Sequence, residues 1–433
     1  MIRQINRVTA VIIFLLLALI INISYIQVFN ARELRGQPGN QRVILTEYSR
    51  ERGPILLGSQ SIAESTPTLD ALKYLRSYPD ESIFAPITGF YSVLYGATGI
   101  EDESNDVLAG NDSRFFVDRL QQLFANREPK GGAVRLTIDP AAQTAAMKAL
   151  NGRTGAVVAI DPTTGAILAL ASSPSFDPNL LSSHDAAEIQ MNYEELDADP
   201  EQPMLNRPLA MTLPPGSTFK LVTAAAALES GRYNAATQLP GPKEINLPGT
   251  DVQLGNWNDK SCGPDDITTL QQALEISCNT AFAWLGMEIG ANAIGDQAKK
   301  FGFESQFDVP MSAAISRFPI DPNQPQTAMS AIGQFDVRAS ALQMALVAAG
   351  IANDGVVMKP YLVSQLLGTD LTVLQSTNPV AFGRAMKSEN AKILRDMMVG
   401  VVENGTASRA RISGIAVGGK TGTAENVPGD PAH

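Results

Sequence analysis

Residues 213–220 read Leu-Pro-Pro-Gly-Ser-Thr-Phe-Lys and lead into a run rich in leucine, valine and alanine. Because proline is excluded from helix interiors, a helix is predicted to begin near Ser217 and to end at Gly231. Residues three apart share a helix face, which places the Lys220 amine beside the Ser217 hydroxyl. Lys220 could then activate Ser217 as a nucleophile, and the unpaired backbone N–H of Ser217 could bind an oxyanion. An N-capping serine followed by an exposed lysine is the structural alternative.

Two downstream segments could line the same cleft. Residues 277–279 read Ser-Cys-Asn between two stretches of helical periodicity, so a tight connection between helices is predicted there. Residues 420–423 read Lys-Thr-Gly-Thr after a strand-like run at 412–417, and they are expected to extend a strand whose glycine lets a ligand approach. Their cation and hydroxyls would suit a substrate carboxylate. Ser-x-Asn also occurs at 376–378 and 388–390, so order and separation select Ser277.

Composition excludes several other classes of site. The 433 residues are 44% apolar and carry a net charge of −11, with a sequence pI near 4.8, which argues against a nucleic-acid partner. His184 and His433 are the only histidines in the sequence. A Ser-His-Asp triad or a histidine-ligated metal site is therefore disfavoured, because too few histidines are available for it. We therefore expect no metal and no cofactor.

A nucleotide-binding loop is one competing interpretation of the C-terminal motif. Residues 414–421 satisfy the pattern G-x-x-x-x-G-K-[ST]. Such a loop needs a helix directly after its lysine, because helix N-terminal amides hold the phosphates. Pro428 and Pro431 follow within eleven residues of Lys420, so no such helix is predicted and nucleotide binding is disfavoured.

The chain has two cysteines, Cys262 and Cys278, and the second lies inside the Ser-x-Asn segment. Outside the membrane they could form a disulfide that closes a loop of about 15 residues and contributes around 3 kcal/mol. Two buried free thiols are the alternative.

In their order, the three segments resemble the Ser-x-x-Lys, Ser-x-Asn and Lys-Thr-Gly signatures of the penicillin-binding protein and serine β-lactamase superfamily. Other stretches resemble transpeptidase-domain landmarks: residues 155–170, 173–179, 206–207, 333–334 and 351–355. Residues 52–55, 89–96 and 99–101 resemble the non-catalytic module of class B penicillin-binding proteins. The likeness covers nearly everything after residue 45 and is greatest to the actinobacterial penicillin-binding protein A branch.

This resemblance implies a peptidoglycan D,D-transpeptidase, inhibited by β-lactams, that acts in septal and cell-wall synthesis and has a carboxypeptidase side activity. Ser217 would attack a D-Ala-D-Ala stem peptide, with Lys220 as the base; burial and the positive charge of Lys420 would lower the pKa of Lys220. The resemblance also implies that Ser277 relays a proton and that Asn279 binds the substrate amide. The substrate carboxylate would be bound by Lys420, Thr421, Gly422 and Thr423. The backbone N–H groups of Ser217 and Thr423 would form the oxyanion hole. A glycosyltransferase and other division or elongation proteins are the implied partners.

The expected fold is α/β (α+β), in four parts. Residues 8–29 are almost all apolar and uncharged, long enough for a helix that spans a membrane. A secretory signal peptide is the alternative, disfavoured by the length and by the lack of a cleavage pattern. We expect a cytoplasmic tail at 1–7, the single anchor at 8–29, an extracytoplasmic pedestal at 30–133 with a hinge at 130–132, and a transpeptidase domain at 134–433. Members of the family continue through further strands after Lys-Thr-Gly, so this domain is expected to be incomplete at its C-terminus.

Other members of the superfamily provide three alternatives. A β-lactamase needs a deacylating carboxylate, and no obvious Glu-x-x-Leu-Asn segment is present. A β-lactam sensor would carry a cytoplasmic signalling module, for which residues 1–7 are too short. A catalytically dead scaffold would be expected to have lost a motif residue, and none is lost.

Overall fold

The computed structural model describes residues 2–28, 48–115 and 130–424. Helix α1, Ile2–Val28, leaves large apolar side chains such as Val11, Phe14 and Ile21 more than half exposed. Across these described ranges, no helix is sufficiently long and apolar to cross a membrane. The expected boundary between anchor and pedestal at 29–30 and the expected incomplete end at 425–433 lie outside the described residues.

The segment from residue 48 to 115 is built of short strands and helices. Its strands are β1 (Ile55–Leu57), β2 (Gln60–Pro67), β3 (Tyr74–Ser77), β4 (Tyr91–Ser92) and β5 (Gly96–Ala97). Its helices are α2 (Ala85–Thr88), α3 (Gly99–Glu103) and α4 (Asn105–Leu108), with 3₁₀ turns at Glu81–Ile83 and Ser113–Phe115.

A buried ion cluster holds this segment together. The Glu101 carboxylate accepts from Arg52 Nε and from Arg76 Nε, each at 2.6 Å, and all three side chains are almost completely buried. Although burial opposes its ionisation, the two guanidinium groups hold the pKa of Glu101 below its ordinary value. Buried charges need such pairing, since their desolvation is costly.

One six-stranded sheet joins this segment to the rest of the chain. Its order is β15-β14-β6-β1-β2-β3, where β6 is Ala133–Leu136, β14 is Val363–Leu367 and β15 is Val373–Ser376. Strand β6 runs parallel to β1, with Val134 opposite Ile55, and antiparallel to β14. The predicted hinge is therefore a packed connection: Gly131 N–H donates to Glu51 O and Gly132 N–H donates to Val107 O.

The C-terminal part packs helices around a buried central helix. Its helices are α5 (Pro140–Leu150), α6 (Asn179–Ser182), α7 (Ala186–Ala198), α8 (Arg207–Ala210), α9 (Lys220–Glu229), α10 (Leu270–Glu275), α11 (Asn279–Ile289), α12 (Ala291–Lys300), α13 (Gln324–Ala331), α14 (Ala341–Ala352) and α15 (Ser388–Glu403). Every residue of α9 from Lys220 to Leu228 is buried, against α11, α12 and α15. The small side chains of its alanines allow these helices to approach closely.

Short strands surround this helical core. Strands β7 (Gly155–Ile160) and β8 (Ile167–Ser173) form an antiparallel hairpin that packs on α5 and α14. The other pairs are β9 (Gln238–Pro240) with β12 (Ile267–Thr269), β10 (Glu244–Asn246) with β11 (Gln253–Gly255), and β13 (Val356–Met358) with β16 (Ala381–Arg384).

The expected strand at 412–417, with its extension to 420–423, is wrong. Residues 411–424 contain one isolated bridge between Ile412 and Ile415, and the remainder has no regular secondary structure. A strand requires a neighbour with which to form a ladder. Here the backbone N–H of Gly419 instead donates to Met398 O in α15, and no described strand pairs with this segment.

Candidate active site

Ser217 lies on a 3₁₀ turn, Gly216–Phe219, which leads directly into α9. The predicted helix thus begins with a tighter turn and ends at Glu229, two residues before Gly231. Gly216 has φ +53°, and a Cβ at this position would clash with the carbonyl oxygen of Thr423. Glycine is therefore required where the two chain segments meet.

The Lys220 amine is completely buried and lies within hydrogen-bond distance of three oxygen atoms. Ser277 O and Asn279 Oδ1 each lie 2.8 Å from Nζ, and Ser277 Oγ lies at 3.3 Å. Burial, and then the positive charge of Lys420, lower the pKa of this amine well below its ordinary value, as the sequence predicted. No hydrogen bond joins Lys220 to the Ser217 hydroxyl in the described structure; such bonds are often long before substrate binds.

Ser277 is the point at which the candidate residues converge. It lies in the predicted tight connection between α10 and α11, and its φ of +59° is in the left-handed region that serine seldom adopts. Lys420 Nζ donates to its hydroxyl at 2.8 Å. Burial lowers the pKa of Lys420 to about 8. Two amines thus share one hydroxyl, an arrangement suited to proton transfer.

Asn279 is the first residue of α11. A second asparagine, Asn256, which no sequence motif indicated, fixes the position of this helix start. Asn256 Oδ1 accepts the backbone N–H groups of Asn279 and Thr280 at 2.9 and 3.1 Å. Asn256 Nδ2 donates to the carbonyl groups of Pro242 and Lys260. The residue is buried in a turn-rich loop, and no local pattern distinguishes it from the exposed Asn258 nearby.

The structure joins Cys262 to Cys278 in a disulfide, with their Cα atoms 6.1 Å apart. Of the two alternatives that the sequence left open, a disulfide and two buried free thiols, the structure has the disulfide. Both cysteines are buried. The loop that carries Asn256 is thereby attached to the middle residue of the Ser-x-Asn segment.

The Lys-Thr-Gly-Thr segment lies along the 3₁₀ turn of Ser217. A Cβ on Gly422 would lie 2.8 Å from Thr218 Cγ2 and 3.2 Å from Pro215 O, so the glycine permits this close approach. Lys420 Nζ also donates to Thr421 O at 2.9 Å. The Thr421 hydroxyl lies 2.8 Å from that of Thr406, a residue that no motif indicated.

Comparison with known proteins shows the family. The family model described as "Penicillin binding protein transpeptidase domain" matches residues 155–432. This chain belongs to the penicillin-binding proteins. A second model, "Penicillin binding protein A dimerisation domain", matches residues 52–134. The resemblance found in the motifs is thus confirmed.

Curated relatives match this penicillin-binding protein over nearly its whole length. "Peptidoglycan D,D-transpeptidase PbpA" of Mycolicibacterium smegmatis is 43% identical over 429 residues, which cover 98% of this chain and 87% of the relative. The protein of the same name from Mycobacterium tuberculosis strain H37Rv is 41% identical over 436 residues, which cover 99% and 88%.

Solved structures of penicillin-binding proteins support the same assignment to this family. The imipenem acyl-enzyme complex of penicillin-binding protein A from M. tuberculosis superposes with a TM-score of 0.87, 41% identity, and coverage of 90% of both chains. The penicillin G acyl-enzyme complex of that protein gives a TM-score of 0.83 with 41% identity, over 87% and 86% of the two chains. The mixed α/β transpeptidase fold with an N-terminal dimerisation domain is therefore shown.

The remaining polar groups of this penicillin-binding protein fit neither a metal site nor a P-loop in the described residues. No group of three or more His, Cys, Asp and Glu side chains there could hold a metal ion. His184 Nδ1 instead lies 2.5 Å from Asp70 Oδ2, with Nε2 3.1 Å from Tyr74 O. Residues 421–424, which follow Lys420, are not helical.

Proposed function

We propose that this chain is a serine D,D-transpeptidase that cross-links peptidoglycan stem peptides through a Ser217 acyl-enzyme and that β-lactams inhibit. The carrying observation is the buried Lys220 amine, whose lowered pKa and bonds to Ser277 and Asn279 suit a neutral base. The relatives named D,D-transpeptidases and the β-lactam acyl-enzyme structures support the same reaction.

In the first half-reaction, the Ser217 hydroxyl attacks the carbonyl carbon of the penultimate D-Ala. Lys220 accepts the hydroxyl proton, because a neutral amine has a free lone pair. The oxyanion binds the backbone N–H groups of Ser217 and Thr423. The C–N bond to the terminal D-Ala then breaks, and Ser277 relays the proton to the leaving amine.

Binding of the donor peptide uses the other candidate residues. Lys420, with Thr421 and Thr423, holds the terminal carboxylate, and Asn279 holds the substrate amide. In the second half-reaction, the amine of another stem peptide attacks the ester carbonyl carbon. The bond to Ser217 Oγ breaks, and the serine recovers a proton from the attacking amine through Lys220.

The proposal also includes the location of this protein in the cell. We infer that residues 8–29 anchor the chain once in the cell membrane, with residues 1–7 in the cytoplasm and the pedestal (30–133) and transpeptidase domain (134–433) outside. The uncharged sequence of residues 8–29 and the exposed apolar side chains of α1 support the anchor. A glycosyltransferase and other division or elongation proteins are the proposed partners. Alkaline carbonate extraction of cell membranes tests the anchor: an anchored protein stays in the pellet, and release into the supernatant contradicts it.

Labelled penicillin tests the nucleophile. Full-length protein should acquire one covalent adduct, which peptide mass mapping places on Ser217. Ser217→Ala should abolish it, whereas Ser230→Ala, at the exposed end of α9, should label as the wild type does. Labelling of Ser217→Ala at the wild-type level would contradict the assignment.

The β-lactamase alternative differs in the fate of the adduct. Since the sequence has no Glu-x-x-Leu-Asn segment to supply a deacylating carboxylate, the penicilloyl enzyme should persist for many minutes after free penicillin is removed. An efficient β-lactamase turns over at roughly 1–1000 per second. Intact-mass measurements at timed intervals decide between them, because loss of the adduct within seconds, with continuous hydrolysis, would identify the other branch of the superfamily.

A further inference from the structure

The loop after α15 connects two walls of the candidate active site. Thr406 N–H donates to the carbonyl oxygen of Glu275 at 3.1 Å, and Ala407 N–H donates to Val401 O at 3.1 Å. A Cβ on Gly405 would clash with the same Glu275 carbonyl, so only glycine permits this contact. Glu275 is two residues from Ser277 in sequence. The backbone of Thr406 is therefore held against the segment that carries Ser277.

The Thr406 side chain faces the other wall. Its hydroxyl lies 2.8 Å from the Thr421 hydroxyl, and either group could be the donor. A hydroxyl has one proton and two acceptor lone pairs. If Thr406 donates, the single proton of Thr421 remains available for a ligand. If Thr421 donates, its proton is used within the protein.

A bound carboxylate would select the first arrangement. Thr421 follows Lys420, whose amine lies 2.8 Å from Ser277 Oγ. A carboxylate at this position accepts hydrogen bonds only, so the Thr421 proton would turn toward it and Thr421 Oγ1 would need a donor. Thr406 is the side chain placed to supply that donor. Donation also polarises the Thr421 hydroxyl and strengthens its charge-assisted bond to the ligand.

We propose that Thr406 is a positioning residue for the substrate carboxylate: its hydroxyl donates to Thr421 Oγ1 and so directs the Thr421 proton toward the carboxylate of the stem peptide or β-lactam. The inference deepens the proposed function and rests on it. Thr406 does not itself touch the substrate. Its effect should appear in binding of carboxylate-bearing ligands, with little effect on the chemical step.

The test uses full-length protein with benzylpenicillin and with its methyl ester, which lacks the free carboxylate. Thr406→Val removes the hydroxyl but keeps the shape and the backbone N–H. We expect the half-saturating concentration of benzylpenicillin to rise about tenfold, as for a lost hydrogen bond of ordinary strength, with the limiting acylation rate within about twofold. Acylation by the methyl ester should change by less than about twofold. Thr406→Ser should restore binding, and Thr372→Val, on an exposed turn, is the matched control.

A double-mutant cycle separates this role from general support of the fold. Thr421→Val alone should weaken benzylpenicillin binding, and adding Thr406→Val to it should cost nothing more, because the two side chains act through one bond. The inference would be overturned if Thr406→Val weakened the reaction with benzylpenicillin and with its methyl ester equally. It would also be overturned if the losses of benzylpenicillin binding in Thr421→Val and Thr406→Val were fully additive in the double variant. If Thr406→Val lowers the melting temperature substantially, Thr406→Ala replaces it in the same cycle.

Failure of the proposed function would look different. If wild-type protein is not acylated at Ser217, the function itself is wrong. If wild-type protein is acylated and Thr406→Val binds benzylpenicillin as well as wild type does, the inference about Thr406 alone is wrong.

Discussion

At the scale of single residues, the hydroxyl of Ser277 lies between two lysine amines. Lys220 Nζ is 3.3 Å from Ser277 Oγ and Lys420 Nζ is 2.8 Å from it. Two charged amines this close, and buried, repel each other, so one of them is best neutral. Lys220 is the more deeply buried of the two, and its pKa is lowered by burial and then by Lys420. Its deeper burial and the nearby charge of Lys420 thus favour the neutral form of Lys220, with Lys420 as the cation.

Replacement of Lys220 by arginine tests the base. A guanidinium group does not deprotonate in proteins, so Lys220→Arg keeps charge and loses basicity. Acylation of Ser217 by penicillin, followed by stopped flow, should fall by at least about 100-fold. Lys299→Arg, on the exposed face of α12, should leave the rate unchanged. Near-normal acylation by Lys220→Arg would indicate a different base.

The pH dependence of acylation should have two limbs. The rate should rise with pH as Lys220 loses its proton, at a pKa well below the ordinary lysine value. It should fall again as pH rises through about 8, because Lys420 then loses the charge that binds the carboxylate. With benzylpenicillin methyl ester, the falling limb should be weak or absent. A second-order rate constant for benzylpenicillin that stays constant from pH 7 to about 9.5 would contradict the role of Lys420.

At the scale of elements, the start of α11 is held from two sides. Asn256 Oδ1 accepts the first backbone N–H groups of the helix, and the Cys262–Cys278 disulfide joins the same loop to the residue before the helix. Helix N-termini leave N–H groups without intrahelical partners, so an outside acceptor is needed when the end is buried. The loop at 256–262 therefore positions Asn279 although it supplies no motif.

Removal of Asn256 should affect both stability and acylation. Asn256→Ala removes the acceptor of the N–H groups of the half-buried Asn279 and the buried Thr280, at a cost of about 1–3 kcal/mol in the free energy of unfolding. Acylation should slow as well, because Asn279 also binds the Lys220 amine. Urea unfolding and the penicillin reaction measure the two effects. Asn258→Ala, in the same loop but exposed, is the control, and equal behaviour of the two variants would refute this account.

At the scale of the whole molecule, a single sheet joins the dimerisation domain to the transpeptidase domain, and a buried ion cluster lies within the dimerisation domain. Strand β6 lies between β1 and β14, so residues about 230 apart in sequence become neighbours. On strand β3 of this sheet, Arg76 Nη1 donates to Gly53 O at 2.9 Å, while its Nε is paired with Glu101. The ion cluster thus braces the backbone from which β1 begins.

Neutralising Glu101 should destabilise the molecule strongly. Glu101→Gln leaves two buried guanidinium groups without a counter-charge, and breaking a buried pair costs about 3–5 kcal/mol. Urea or thermal unfolding of the full chain should show this loss. Asp102→Asn, at the adjacent exposed position, should change stability by less than about 0.5 kcal/mol. Similar stability of Glu101→Gln and wild type would mean that the cluster is not a stabilising element.

The sequence by itself determined the features that depend on a few neighbouring residues. Proline and glycine placed the start of a helix near Ser217, and apolar periodicity placed the connection at Ser277. These signals are local, because helix periodicity and turn chemistry act over one or two turns of chain. The order of the three motifs was enough to indicate the family.

Only the tertiary structure decided which distant groups meet. Asn256 and Thr406 carry no pattern, since the role of Asn256 depends on Asn279, 23 residues away, and that of Thr406 depends on Thr421 and Glu275, 15 and 131 residues away. The choice between a disulfide and two thiols depended on the approach of Cys262 to Cys278. The expected strand before Lys420 failed for the same reason: strand-like composition needs a neighbouring strand, and pairing is a non-local property that local composition does not encode.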